Sequence, residues 1–423
     1  MTNMDKPGKK WRVIITLMVS VLGILFFAVQ AFSLGILWLT SFLDPGVSMP
    51  ENVFLGLLFW TSILGGLLLI PLLLLSIYQL RGVSAPGWLD LQSPVIAKVL
   101  RWVILVWPIV VLLGWLVASR ERLAIFLLGP INVLVAGIPI LWIYQAAQRG
   151  LSGGSRLRKW RIFGFSIALL PLIVILVELL ALLFLGGIGL VWLGIRVYSN
   201  PQLEQHITQL ANQIMLYGQD SEALIEFLKP FLLQPSVIFW VLAIFGGIIP
   251  IIEEVFKPLA LWSLAGREIT PQEGFVGGLL CGAGFALMEN VFYFTTVLLA
   301  EDWLFMAIGR AGTGVLHMLA SGLLGWGLAR TWRDGRWGFL GLTTLAAFIL
   351  HGLWNVLAIV SGLTPLLVLE VEPALGQMLL SHFPVVLLMV FSVIGLLMIN
   401  RYLRLPVESV APVVQGHSEE TAH

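Results

Sequence analysis

Apolar stretches of twenty or more residues recur along this chain from end to end. A helix needs about 20 such residues to cross the hydrocarbon of a bilayer. Ten runs reach that length, at about 13–42, 52–80, 99–118, 123–147, 163–198, 236–264, 274–300, 303–329, 337–361 and 376–399. The chain is 423 residues long, 59% hydrophobic and only 11% charged, too little charge to cover a soluble protein of this size. The expected class is therefore all-α, a polytopic membrane bundle of about ten transmembrane helices in a cell membrane. Pro71, Pro108, Pro130, Pro139 and Pro171 fall inside these runs, where neighbouring helices can pair the carbonyls that proline frees.

Basic residues cluster in the short segments between runs. With the N-terminus inside, 18 of the 24 Lys and Arg residues lie in inner segments and four in outer ones, while Lys257 and Arg310 fall within spans. That bias predicts both termini on the cytoplasmic side. Lys6, Lys9, Lys10 and Arg12 precede the first run, and Val29-Gln30-Ala31 has the look of a signal-peptide cleavage site. The run continues through Phe42, however, too long for a signal peptide, so a first spanning helix is expected. No basic face exists for nucleic acid. Cys281 is the only cysteine, which excludes disulfides and cysteine-rich zinc sites and predicts a small buried core residue.

Four regions follow from this reading. Residues 1–198 form an N-terminal five-helix membrane region of unknown role, in which Glu178 stands out in the fifth span. It has Arg310 or a histidine as candidate partners, or it sits protonated in the bundle. Residues 199–235 read as an outer amphipathic helical segment, with Leu203, Ile207, Leu210 and Ile214 on one stripe. Residues 236–362 carry the chemistry, and 363–423 hold the final span and a short tail expected to be disordered.

Ionisable residues concentrate in the sixth to ninth spans. Glu253 and Lys257 are four apart and Glu254 and Lys257 three apart, so each glutamate neighbours the lysine on a helix. Phe285, Glu289 and Tyr293 share a stripe on the seventh span, next to Asn290. Arg310 and His317 lie two turns apart on the eighth, and His351 and Asn355 one turn apart on the ninth. At about 1.5 Å per residue, Glu289, His317 and His351 lie roughly 20 Å into their helices, within reach of one plane. One such residue inside a bilayer is often a structural ion pair. Seven of them (Glu253, Glu254, Lys257, Glu289, Arg310, His317 and His351) in four consecutive helices point to a polar functional cavity. Gly274, Gly278 and Gly282 form small-xxx-small steps that suit close helix packing.

These elements resemble the PrsW family of intramembrane proteases, within the CAAX-protease and bacteriocin-processing superfamily. The matching residues are Glu253-Glu254-x-x-Lys257, Phe285-x-x-x-Glu289-Asn290-x-x-Tyr293, Arg310 with His317, and His351-x-x-x-Asn355. The resemblance covers about 245–360 and implies hydrolysis of a peptide bond in a membrane-anchored protein substrate. Within it, Glu253 or Glu254 activates water with His317. His351 and Asn355 polarise the scissile carbonyl, and Glu289 is a second acid–base group or an orienter of His317. Lys257, Asn290 and Arg310 support them. Amide hydrolysis without Ser or Cys needs just such a base, proton donor and oxyanion stabiliser. Two glutamates and two histidines also form an acceptable zinc donor set, yet no His-Glu-x-x-His is present, so a divalent metal and a metal-free glutamate mechanism both stay open. Two other classes fit part of the pattern. Buried carboxylates and histidines also build ion- or proton-coupled transporters, although the charged spans show no repeated halves. A non-catalytic membrane scaffold of the same fold would be expected to lose one of the four elements, and all four are present.

Overall fold

The computed structural model describes residues 7–44, 46–217, 221–296, 300–367 and 375–405. The tail expected to be disordered lies outside the described residues. Among those described, ten helices are long and apolar enough to cross a membrane: Lys10–Ser41, Met49–Leu80, Pro94–Ala118, Glu121–Ala147, Arg156–Tyr198, Pro235–Trp262, Pro271–Thr296, Trp303–Asp334, Trp337–Leu363 and His382–Arg404. Each corresponds to one expected run. Leu, Phe and Ile side chains stand exposed in rows along the first, third, fifth and tenth spans. A bilayer explains them, since lipid is the solvent that such a surface fits.

Proline and local capping set where these helices break and start. The third span is two helices, Pro94–Val103 and Trp107–Ala118, joined by a short 3₁₀ turn just ahead of Pro108. The fifth divides at Leu169, between Arg156–Ala168 and Leu170–Tyr198, because Pro171 has no N–H to continue the ladder. The seventh begins earlier than its hydropathy suggests. Thr270 accepts from the Glu273 N–H and the Glu273 side chain accepts from the Thr270 N–H, a reciprocal cap with Pro271 at the first helical position. The segment 199–235 is helical as expected, as Pro201–Tyr217 and Ser221–Leu232.

The seventh span is the axis of the bundle, shielded along almost all its length. Its glycines dictate what packs there. A Cβ on Gly274 would strike the Gly325 carbonyl oxygen, one on Gly278 that of Ser321, and one on Gly282 that of His317. The two series run in opposite directions in steps of four, so the seventh and eighth spans are antiparallel with their backbones in contact. Carried one to two turns further, that register sets Glu289 and Asn290 beside Arg310. Cys281 lies buried on the same helix. Adding the methyl group of Gly282→Ala forces backbone from backbone, with no flexible side chain to yield. Such overpacking costs about 1–3 kcal/mol. Thermal unfolding of the purified variant, expected well below wild type, checks this; an unchanged melt would contradict the packing.

The sixth span is the most irregular. A π turn covers Ile244–Ile248, an α-helix follows over Ile249–Phe256, and Pro258 ends it. Gly246 and Gly352 meet at the crossing with the ninth span, where a Cβ on either would collide with the other helix. Asn355 Nδ2 donates to the Phe245 carbonyl at 2.8 Å, pairing an oxygen within the π turn. The N-terminal spans are fastened to this core from several sides. Trp303 of the eighth span, fully buried, packs against Gly114 and donates from Nε1 to Asn132 Oδ1 at 2.9 Å. Arg158 pairs with Glu273 at 2.9 Å. Lys159 lies 2.5 Å and Arg156 3.2 Å from Asp90. Asp90 sits in a connecting loop. Burial pushes its carboxyl up, but Lys159, the Gln92 N–H and Arg156 together hold it below the ordinary carboxylate range.

Candidate active site

Lys257 is the centre of the polar cluster. Its side chain is fully buried, and an ammonium is a donor with three hydrogens and no lone pair. Three acceptors surround it: Glu254 Oε1 at 2.7 Å, His317 Nδ1 at 2.7 Å and Glu253 Oε2 at 2.8 Å. The last is an ion contact whose angles fall outside those of a hydrogen bond, so Glu253 Oε2 has no hydrogen-bonding partner. The i,i+3 and i,i+4 spacings read from sequence are thus both realised. Below the ammonium, the Phe285 ring centroid lies 4.6 Å away and stands edge-on to His317 at 5.4 Å. This is a cation–π floor that stabilises a desolvated positive charge.

A second cation sits one step along. Arg310 Nη2 donates to Glu289 Oε2 at 2.5 Å and Nε to Asn290 Oδ1 at 2.7 Å, and the guanidinium lies 4.3 Å over the Tyr293 ring. Asn290 returns a bond from Nδ2 to the Arg310 carbonyl at 3.0 Å. Glu289 Oε2 also lies 2.8 Å from His317 Nε2. Because Lys257 can only donate, His317 Nδ1 accepts, and the neutral ring carries its hydrogen on Nε2 and donates to Glu289. Both nitrogens of His317 are therefore occupied, and the imidazole joins the two cationic centres into one network.

His351 closes the other side. Its Nδ1 lies 2.9 Å from Glu254 Oε1, its Nε2 3.8 Å from Glu253 Oε2, and its ring meets that of His317 edge-on at 4.9 Å. Glu254 is fully buried, and its Oε2 has no partner. Glu253 and Glu289 differ from it in a way that matters for chemistry: both line a cavity of about 410 Å³, whereas Glu254 does not. Helical geometry separates adjacent residues by about 100°, and here that rotation turns Glu253 toward the cavity and Glu254 into the protein.

Of the residues expected in the site, Glu253, Glu254, Lys257, Glu289, Asn290, Arg310, His317 and His351 form one contiguous network. Asn355 stands apart. One of its amide hydrogens goes to the Phe245 carbonyl, leaving the other for any ligand. For Glu178 the sequence leaves open a pairing with Arg310 or a histidine and a protonated state in the bundle. The Arg310 guanidinium is instead engaged by Glu289 and Asn290, and both His317 nitrogens by Lys257 and Glu289. Glu178 faces the 410 Å³ cavity. Sequence reasoning missed that the first, second and fifth spans line this cavity. Their Leu- and Phe-rich faces read alike whether they meet lipid or a cavity.

Glu253, Glu254, His317 and His351 could hold a metal ion, since one donor atom from each lies within 4.8 Å of the others. Two carboxylates and two imidazoles suit a divalent cation such as zinc, and Glu254 Oε2 is buried without a hydrogen-bond partner. The donor set fits. Lys257 occupies three of the same four residues, so an ammonium and a divalent cation compete for one set of lone pairs.

Residues 210–395 match the model of the PrsW family intramembrane metalloprotease, a stretch that contains the whole network. No curated protein and no solved structure matched the chain. The resemblance read from the four sequence elements is borne out. The match supports an intramembrane protease, acting in the bilayer on a protein substrate, in a multi-pass membrane protein.

Proposed function

We propose that the chain hydrolyses a peptide bond of a membrane-associated protein, with Glu253 as the base that activates water. The observation that carries this reading is the position of Glu253. It is a carboxylate at the edge of a cavity, held against a buried ammonium, with a second carboxylate on the same cavity wall.

Each requirement of amide hydrolysis has a candidate group. Glu253 takes a proton from water as the water oxygen bonds to the carbonyl carbon. The same carboxyl then passes that proton to the leaving nitrogen as the C–N bond breaks, giving an acid and an amine. Lys257 sets a positive charge 2.8 Å from the Glu253 carboxylate. Negative charge developing on the carbonyl oxygen is met by His351 and by the remaining N–H of Asn355. Glu289, fixed by Arg310 and His317, accepts a hydrogen bond from the substrate backbone and aligns the scissile bond. Glu254 and His317 act as positioning residues. Glu254 orients His351 and Lys257, and His317 ties Lys257 to Glu289.

Glu253, Glu254, His317 and His351 are also the residues that would hold a divalent metal. Bound there, it would supply Lewis-acid polarisation of water or of the scissile carbonyl.

The substrate class is tested by comparing new N-termini among membrane proteins of cells carrying the wild-type chain or Glu254→Ala. The expected result is a small set of cleavages within or beside transmembrane segments, present only with wild type. Identical termini in both would overturn the assignment, and a difference in ion flux without new termini would favour the transporter.

A further inference from the structure

Five spans precede the stretch that the family model covers, and three of them reach the reacting groups. The far wall of the cavity at Glu253 and Glu289 is built by Phe27 and Gln30 of the first span, Leu58 and Thr61 of the second, and Ile175 and Glu178 of the fifth. Its mouth faces outward. Phe26, Ile175 and Phe292 line the cavity and are 52%, 47% and 49% exposed at the perimeter of the bundle, where lipid would stand. A molecule already in the bilayer can enter sideways without crossing water.

Size limits what enters. A helix about 10–12 Å across, rising 1.5 Å per residue, fills roughly 120–170 Å³ per residue. A cavity of about 410 Å³ therefore takes about three residues of peptide, not a transmembrane helix. A three-residue stretch lifted out of its helix exposes backbone N–H and C=O groups, and in hydrocarbon each unpaired group costs several kcal/mol. The cavity answers that cost. On this mostly apolar far wall Thr61 and Ser62 bond back to their own helix, whereas Gln30 and Glu178 bond to no other described residue. A carboxyl group at this depth without a partner marks a site awaiting a ligand.

We infer that the first, second and fifth spans are the substrate-binding wall of this protein. They receive an unwound, apolar stretch of about three residues beside the scissile bond of a membrane-spanning substrate, with Gln30 and Glu178 accepting its backbone N–H groups. The inference rests on the proposed peptidase reading and gives the N-terminal spans a role in selecting substrates with helix-breaking residues near the cleavage point. Gln30 and Glu178 are specificity-determining residues here and take no part in bond breaking.

Disulfide cross-linking tests this without hydrolysis. Cys281 is the only natural cysteine and is buried, so an introduced cysteine reports alone. Ile175→Cys, Leu58→Cys and, as a control on the lipid face of the ninth span, Leu345→Cys are each placed in the full chain carrying Glu253→Gln and reconstituted in lipid nanodiscs. The probe is a single-span Leu/Ala peptide with a central Gly-Pro pair and one adjacent cysteine. Cross-links are expected at Ile175→Cys and Leu58→Cys at least tenfold above Leu345→Cys, and weaker when the Gly-Pro pair is replaced by Leu-Leu. Adding Glu178→Leu lowers the yield about tenfold, as expected for one lost hydrogen bond to a carboxyl group, while Glu178→Gln, which keeps an acceptor oxygen, retains it. Equal yields at the three cysteines, or no effect of Glu178→Leu, would overturn the inference. Because the yield is read in a chain unable to activate water, absence of peptidase activity in the wild type would remove the proposed function and leave the cross-linking result readable.

Discussion

Glu253→Gln lowers kcat for a membrane-embedded substrate by roughly 10²–10⁴-fold, the range that a positioned general base contributes. The change keeps the size of the side chain and removes the basic oxygen together with the charge that faces Lys257. Glu254→Gln is also expected to impair turnover, but through a different route. Its carboxylate is fully buried, binds Lys257 and His351, and does not reach the cavity. The two variants are therefore expected to differ in stability. Glu253→Gln gives up one ion contact with Lys257 and no hydrogen bond and melts modestly lower, whereas Glu254→Gln weakens bonds to both Lys257 and His351 in the interior and melts lower still. Steady-state cleavage and thermal unfolding of both variants check this. Matching losses of activity and stability in the two would contradict the separation of roles.

Lys257→Met is expected to destabilise the chain by about 3–5 kcal/mol, the usual cost of removing one partner from a buried ion pair. Met matches the lysine stem in shape and leaves the packing on Phe285 largely intact, so the loss isolates the charge. Without the ammonium, Glu253, Glu254 and His317 lose the cation that they share. Lys257→Arg is not expected to rescue, because a planar guanidinium cannot occupy the small three-acceptor pocket that suits an ammonium. The donor set of Glu253, Glu254, His317 and His351 gives the test a second arm. If the lysine and a divalent cation share lone pairs, adding zinc raises the melting temperature of Lys257→Met more than that of wild type, and chelator reverses the gain. A variant that melts like wild type would mean that Lys257 does not neutralise these carboxylates.

The ten spans were readable because span length and hydropathy are local properties of the chain, and all ten runs became helices. The cluster was readable for a related reason. Spacings of three, four and seven place Glu253, Glu254, Lys257, Arg310 and His317 on predictable faces, and a charge in a span must face inward. What escaped depended on tertiary detail. The 100° between Glu253 and Glu254 announced different roles without saying which one meets the cavity, because that depends on the π turn at Ile244–Ile248 and the crossing of Gly246 with Gly352. The same turn diverts Asn355 to the Phe245 carbonyl, a partner 110 residues away. The environment of Glu178 was similarly hidden, because its cavity forms only where the first, second, fifth, sixth and seventh spans converge.

One measurement bears most directly on the claim that water is activated at Glu253. The purified chain in lipid nanodiscs is given a single-span reporter peptide in water enriched in oxygen-18, and the products are weighed. The expected result is a new N-terminal amine and a new carboxylate carrying one heavy oxygen, formed by wild type and lost with Glu253→Gln. No cleavage by the well-folded wild type across reporters with helix-breaking centres, or equal cleavage by Glu253→Gln, would contradict it.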